Sequence, residues 1–310
     1  MSDWAARSET AKRSVFGNYS RSSRREEAQT SASAAAKEDQ SILTSAAATH
    51  AGLQAAIDTA VARSFLYQFL AHAFEDPVME TWSWLTKTET RAALHSALSA
   101  VTGAATQLEK SAITLTDSLR PDRFEPFQVA YVTAFGHAAR GDCPLNEIEY
   151  GDLKADPLFQ PHRLADLAAF YRAFGLEVAD GAGERPDHIG MELEFMSALA
   201  AKEAYAYEHQ LDDDQRALCR DAQKKFLREH LGRWSPAFAR RLARAATDDA
   251  LAALAEFTRD FIAADCVRFG LTAGSEDLLL RPVDEAAESL CNSCGLQNLP
   301  PGATAPCATT

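Results

Sequence analysis

From Leu53 to about Gly270 the chain repeats apolar residues at helical spacing, and nowhere sustains the period-2 alternation of β-branched residues that a half-buried strand needs. That pattern restricts the fold to helices packed on helices. In "LQAAIDTAVARSFLYQFLAHAF", Leu53, Ile57, Val61 (or Ala60), Phe65 (or Ser64), Phe69 and Phe74 fall close to one stripe, and Asp76-Pro77 punctuates it. Further helices are predicted over about 88–119, 124–137, 161–175 and 187–209. Another follows the cap-forming triplet Asp212-Asp213-Asp214, and two more cover 234–246 and 248–270. Gly175 and Gly232 read as helix stops.

This gives an all-α domain over residues 49–283, with a disordered arm (1–48) before it and a loop-like tail (284–310) after it. The arm holds few large apolar side chains and cannot offset its own ordering entropy, although "SASAAAKEDQ" can form transient helix. Two long Pro- and Gly-containing connections interrupt the helices, at 140–157 and 179–187. Long connections inside a compact domain are often functional.

Composition excludes several function classes. No apolar run approaches the roughly 18 residues of a membrane span, so no stable membrane insertion is expected. A formal net charge of -13 and a pI near 5.1 argue against a nucleic-acid binder, which needs clustered Lys and Arg against phosphates. A basic partner suits such a chain better, although acidity also serves simple solubility. Six irregularly spaced cysteines do not resemble a secreted disulfide framework, and the N-terminus lacks the apolar stretch of a secretory signal.

The second long connection leads into "ERPDHIGMELEFM" (184–196), where titratable and apolar residues mix. A helix starting near Asp187 would put His188 and Glu192 at i and i+4, a pair able to shuttle protons, with the carboxylate favouring a charged imidazole. No nucleophile elbow or phosphate loop accompanies them, so a structural pair outweighs a catalytic one. A metal site needs more ligands than one His-x-x-x-Glu pair. In the tail, Cys291, Cys294 and Cys307 offer three thiols and no histidine, short of a structural zinc set. The third reading is a docking edge: Pro186 restricts Arg185, Asp187 caps the helix, and the helix buries one face beneath a polar rim.

The motif resembles the signature of the TorD/NarJ family of redox-enzyme maturation chaperones, in which Pro-Asp-His precedes a Glu-Leu-x-Phe-Met helix. Here those positions are Glu184, Pro186, Asp187, His188, Glu192, Leu193, Phe195 and Met196. Two further segments are similar to family patterns in the same order. "CPLNEIEYG" (143–151) keeps the acid of a Pro-Pro-aromatic-Glu loop as Glu147, with Leu145 and Asn146 departing from it. "FLREHLGRWSPAF" (226–238) carries His230, Leu231, Trp234 and Pro236. "LADLAAFYRAFGLEV" (164–178) resembles the helix found in chaperones of type II enzymes of the dimethyl-sulfoxide-reductase family.

The resemblance implies a cytoplasmic, non-enzymatic, all-α chaperone without cofactor, monomeric or dimeric. Its partner would be the twin-arginine leader and body of a molybdopterin-containing catalytic subunit, held until the cofactor is inserted and export can follow. It places Asp187 and His188 at the leader-binding surface with Glu147 across a groove, Glu184 nearby, and Pro186 and Glu192 in the same site. We expect His188 to be charged and to order the loop. The alternative is a small helical enzyme or nucleotide-binding switch using Asp187, His188 and Glu192.

Overall fold

The structure, a computed structural model, describes residues 27–101, 107–136, 143–151, 159–179 and 184–281; side chains are described from residue 50, except 159–161. The expectations for residues 1–26 and for the tail with Cys291, Cys294 and Cys307 lie outside the described residues. The chain divides into two units, Met1–Gly52 and Leu53–Thr310. Helical backbone begins at Glu27, inside the stretch read as an arm. Ala, Glu, Lys and Gln, strong helix formers, dominate "SASAAAKEDQ" there.

Ten α-helices are described. They are α1 (Glu27–Ala73), α2 (Met79–Thr86), α3 (Thr88–Val101), α4 (Gln107–Ser118), α5 (Phe124–Phe135), α6 (Phe159–Ala173), α7 (Ile189–Glu208), α8 (Asp213–Glu229), α9 (Leu231–Ala245) and α10 (Asp249–Arg268). No strand occurs among the described residues, as the missing alternation predicts. There are two isolated antiparallel bridges, Asn146 with His188 and Tyr150 with Leu280.

In the second unit α10 packs on α9 and α4, and α8 lies between α7 and α9. The second half of α1 is more deeply set than a one-stripe helix. Between Ala60 and Ala73 it buries Leu66, Tyr67, Phe69 and Leu70 on more than one face, and Phe74 just past its end is buried as well. Edge-to-face rings fix it, with Tyr67 4.8 Å from Phe261 and Phe74 5.3 Å from Phe238. The stripe also missed Arg63, which is 1% exposed and grips Asp265 bidentately at 2.6 and 2.7 Å.

Helix ends follow local chemistry. Asp212 accepts from the Gln215 N–H and Asp248 from the Ala250 N–H, each satisfying an orphan donor of the first turn. Gly175, at φ 74°, ends α6 as expected.

Gly232 does not end α8. That helix stops at Glu229, the chain turns at His230, and Gly232 sits in the first turn of α9. Its role is close approach: a Cβ there would lie 2.4 Å from the Leu227 carbonyl oxygen and 2.9 Å from the Cys266 Sγ.

Four residues on, Pro236 cannot donate to the Gly232 carbonyl. The Gly274 N–H does so instead, at 2.8 Å. This ties the segment after α10 to the start of α9. A Cβ on Gly274 would meet the Arg233 carbonyl oxygen at 1.9 Å, a backbone atom that cannot swing aside. Gly274→Ala should therefore lower unfolding free energy by about 1–3 kcal/mol through forced displacement. Urea denaturation showing unchanged stability would contradict this tie.

Candidate functional site

The two long connections meet. The Glu147 N–H donates to the Asp187 carbonyl at 2.9 Å and the Ile189 N–H to the Leu145 carbonyl at 2.8 Å, so the 143–151 loop runs beside the 184–189 loop. On its other side the same loop pairs with the segment after α10, through Gly151 to Leu279 and Arg281 to Glu149. The Tyr171 hydroxyl on α6 donates to the Pro186 carbonyl at 2.7 Å and holds that turn from a third direction.

Three acids lie inside this junction, and Glu147, Asp187 and Glu192 are all 0% exposed. Buried carboxyls are costly unless matched, and each is matched by a different segment. Asp187 accepts from the Ile148 N–H at 3.2 Å and from Asn146 at 3.4 Å, and is clamped by Arg185 at 2.9 and 3.0 Å. Glu147 pairs with the His230 Nδ1 at 3.0 Å, Arg163 at 2.8 Å and Arg233 at 3.0 Å. Glu192 receives the Trp234 indole N–H at 3.1 and 3.2 Å, shared between its two oxygens.

The sequence segment 226–238 thus supplies the partner for an acid in each of the other two motifs. Arg163 also donates to the Glu229 carbonyl, bringing α6 to the turn between α8 and α9.

The environments separate the two glutamates. Burial alone would raise the Glu147 carboxyl, but the His230 hydrogen bond and charge, then Arg163 and Arg233, hold it below the usual range. Burial, followed by the charge of Glu147, pushes Glu192 well above it, and the Trp234 bond offsets this only in part. Glu192 is accordingly a proton-holding group at low pH, and no pair with His188 forms.

His188 departs from one of the two expectations made of it, the charge. The residue that caps α7 is His188 rather than Asp187: its Nδ1 accepts the Gly190 N–H at 3.1 Å. An accepting Nδ1 carries no proton, so the imidazole in this arrangement is neutral. Burial lowers its pKa against the opposing pull of Glu184, Asp187 and Asp76, which agrees with a neutral ring. Its Nε2 faces Glu184 at 3.5 Å. His188 does order the loop, as a neutral cap instead of a cation.

Glu147, Asp187 and Glu192 therefore do not stand on a groove rim. Their side chains are consumed in holding the junction, and Pro186 is half-buried beside them. Of the six expected residues, Glu184 alone is exposed.

Sequence reasoning did not connect Glu75 and Asp76 with the acids of the 184–196 span. Asp76 and Glu184 both act on His188, and Glu75 and Glu194 both act on His72. Glu75, Asp76 and Glu184 together act on the buried Tyr131 hydroxyl. The end of α1 and the start of α7 thus share an acidic rim. The available signal was Glu75-Asp76-Pro77 at a helix end, which carries no hint of its distant neighbours. Arg163 and Arg233 were missed for the same reason.

Two variants test this junction. His188→Ala should cost about 0.5–2 kcal/mol of stability, and His188→Asn, whose side chain also caps, should recover most of it; equal losses in chemical denaturation would refute the capping role. Glu192 holds its proton to higher pH when folded than when unfolded, so its contribution is complete below the ordinary glutamate range and is lost as pH rises through the folded value. Glu192→Gln keeps an acceptor for Trp234 and removes that loss. The variant should gain on the parent chain as pH rises above the acid range, and a pH-independent difference would count against a protonated Glu192.

Similarity to known proteins covers the same segments. The family model described as nitrate reductase delta subunit matches residues 99–240, which include the 143–151 loop, the 184–196 motif and the 226–238 segment. The chain is 29% identical over 181 residues to the perchlorate reductase assembly chaperone protein of Dechloromonas aromatica, covering 58% of this chain and 77% of that one. It is 35% identical over 159 residues to the dimethyl sulfide dehydrogenase assembly chaperone protein of Rhodovulum sulfidophilum, covering 48% and 59%. With the selenate reductase assembly chaperone protein of Thauera selenatis it shares 35% identity over 107 residues, covering 34% and 53%. For the last two, the match spans little more than half the relative's length. The ordered motifs, the helical domain they close and these matches together bear out the resemblance to the TorD/NarJ family, which the family model carries over residues 99–240.

Proposed function

We propose that this protein is an assembly chaperone for a molybdenum enzyme, binding the twin-arginine leader and apo form of the catalytic subunit in the cytoplasm before cofactor insertion and export. The relatives are named assembly chaperones rather than enzymes. Among the described helices none is long and apolar enough to cross a membrane.

The observation that carries the reading is the acidic rim of Glu75, Asp76, Glu184 and Glu194 beside exposed apolar side chains. Val78 and Met79 follow Asp76-Pro77 directly and are both more than half exposed. Gln128 donates to the Pro77 carbonyl at 3.1 Å, which ties α5, with its exposed Val129, to this corner. A leader with a basic stretch followed by an apolar stretch matches acid beside apolar surface.

In this reading Glu184 meets the leader, while Pro186, Asp187, His188, Glu147 and Glu192 hold the loop that presents it. The enzyme alternative needs accessible acid/base groups, and Asp187, His188 and Glu192 are buried in structural bonds.

Calorimetric titration with twin-arginine leader peptides should give micromolar to nanomolar affinity, about -8 to -12 kcal/mol, that weakens with salt. Exposed charge pairs contribute modestly, so Glu184→Lys or Asp76→Lys should each weaken binding about 2- to 5-fold, and the double variant more. A chain that binds no leader from any candidate subunit, or binds equally well after both reversals, would sink the proposal.

A further inference from the structure

Residues 55–63 of α1 and the C-terminal end of α7 meet α8 and α10 around a cavity of about 240 Å³. Arg63, Glu203, Tyr207, Arg220, Arg268 and Phe269 line its polar side. Three guanidiniums gather here against the carboxylates of Glu203 and Asp265, an uncompensated positive charge in a chain of net charge -13. The volume lies below the roughly 300–1,000 Å³ of pockets for drug-sized ligands, so the space suits a small group.

The arginines are unequally engaged. Arg63 is fixed at the back: Asp265 holds it bidentately, Glu203 meets its Nη1 at 3.1 Å, and its guanidinium lies 4.9 Å from the centre of the Phe269 ring. Arg220 reaches Glu203 only at 3.7 Å and donates to the Tyr207 hydroxyl at 3.3 Å. Arg268 stands 3.8 Å from Asp265, beyond hydrogen-bond distance. Burial, then the charge of Arg63, holds the Arg268 pKa below its ordinary value, with Asp265 opposing.

Arg220 and Arg268 therefore retain N–H groups with no carboxylate in bonding range. The Tyr207 oxygen accepts from Arg220, which leaves its own proton free to donate. Forked guanidinium donors match the oxygens of phosphate, and an anion here would neutralise the crowding of like charges.

We propose that this cavity is a binding site for a phosphate-type oxyanion, held by Arg220 and Arg268 with Tyr207 as a further donor and Arg63 as a fixed charge behind them. The ligand is free inorganic phosphate or the terminal phosphate of a small monoester. This site is independent of the leader-binding reading, since none of its residues belongs to the acidic rim.

The test uses the full chain and inorganic phosphate, with glycerol phosphate as the monoester arm and chloride at matched ionic strength as control. Thermal unfolding should shift upward with phosphate and saturate, which chloride should not reproduce. The arm with the tighter saturation identifies the source. Arg220→Gln and Arg268→Gln should each weaken binding about tenfold, the loss expected for a charge-assisted bond.

A shift that chloride matches, or one that both variants retain, overturns the site. Should either variant lose its helical circular dichroism, Arg220→Lys and Arg268→Lys keep the charge and lose the fork. Unchanged phosphate affinity in both would then overturn the proposal.

Discussion

Three carboxyl groups buried inside a helical domain set the terms for the rest of this structure. Glu147, Asp187 and Glu192 have no access to water, and an unmatched acid in such a place would cost several kcal/mol. Each is met by donors that lie far away in sequence or on the facing loop: His230, Arg163 and Arg233 for Glu147, backbone and Asn146 for Asp187, Trp234 for Glu192. The domain cannot close without bringing all of these together. The buried acids are in this sense the fastening of the fold at its irregular end, where two loops replace helix-on-helix packing.

Their partners also divide the labour between the glutamates. Glu147 is surrounded by cations that hold its pKa below the usual range, whereas burial and a neighbouring acid push that of Glu192 above it. Two glutamates whose pKa values are pushed apart is the arrangement electrostatics favours when both groups are desolvated. His188, neutral and capping, adds no cation that would repel a basic ligand at the surface above.

Helices α1 and α7 carry two opposed electrostatic environments. At the junction the end of α1 and the start of α7 present Glu75, Asp76, Glu184 and Glu194. Toward the cavity the same helices contribute Arg63, Glu203 and Tyr207. The 19 residues from His188 to Tyr207 span about 28 Å of helix at 1.5 Å per residue, so the two environments lie well apart. The acidic corner and the arginine-lined cavity thus sit apart along α7.

The sequence by itself determined most of the helices, because apolar spacing, the capping acid at Asp212 and glycine at 175 are local signals that need no partner; it missed the short α2 and read α3 and α4 as one helix. It also carried the three motifs in order, and their resemblance led to the family that the comparisons bear out. What it could not determine is which motif residues face water. Glu147, Asp187 and Glu192 read as a binding rim because carboxylates are exposed by default, and only the convergence of His230, Trp234 and the arginines takes them inside. Gly232 looked like a helix stop for a parallel reason: glycine ends helices locally, but here it admits Cys266 and a backbone carbonyl from elsewhere in the fold. The acidic rim and the arginine cavity were equally invisible, since each is assembled from residues more than 100 positions apart, and their proximity is a property of packing alone.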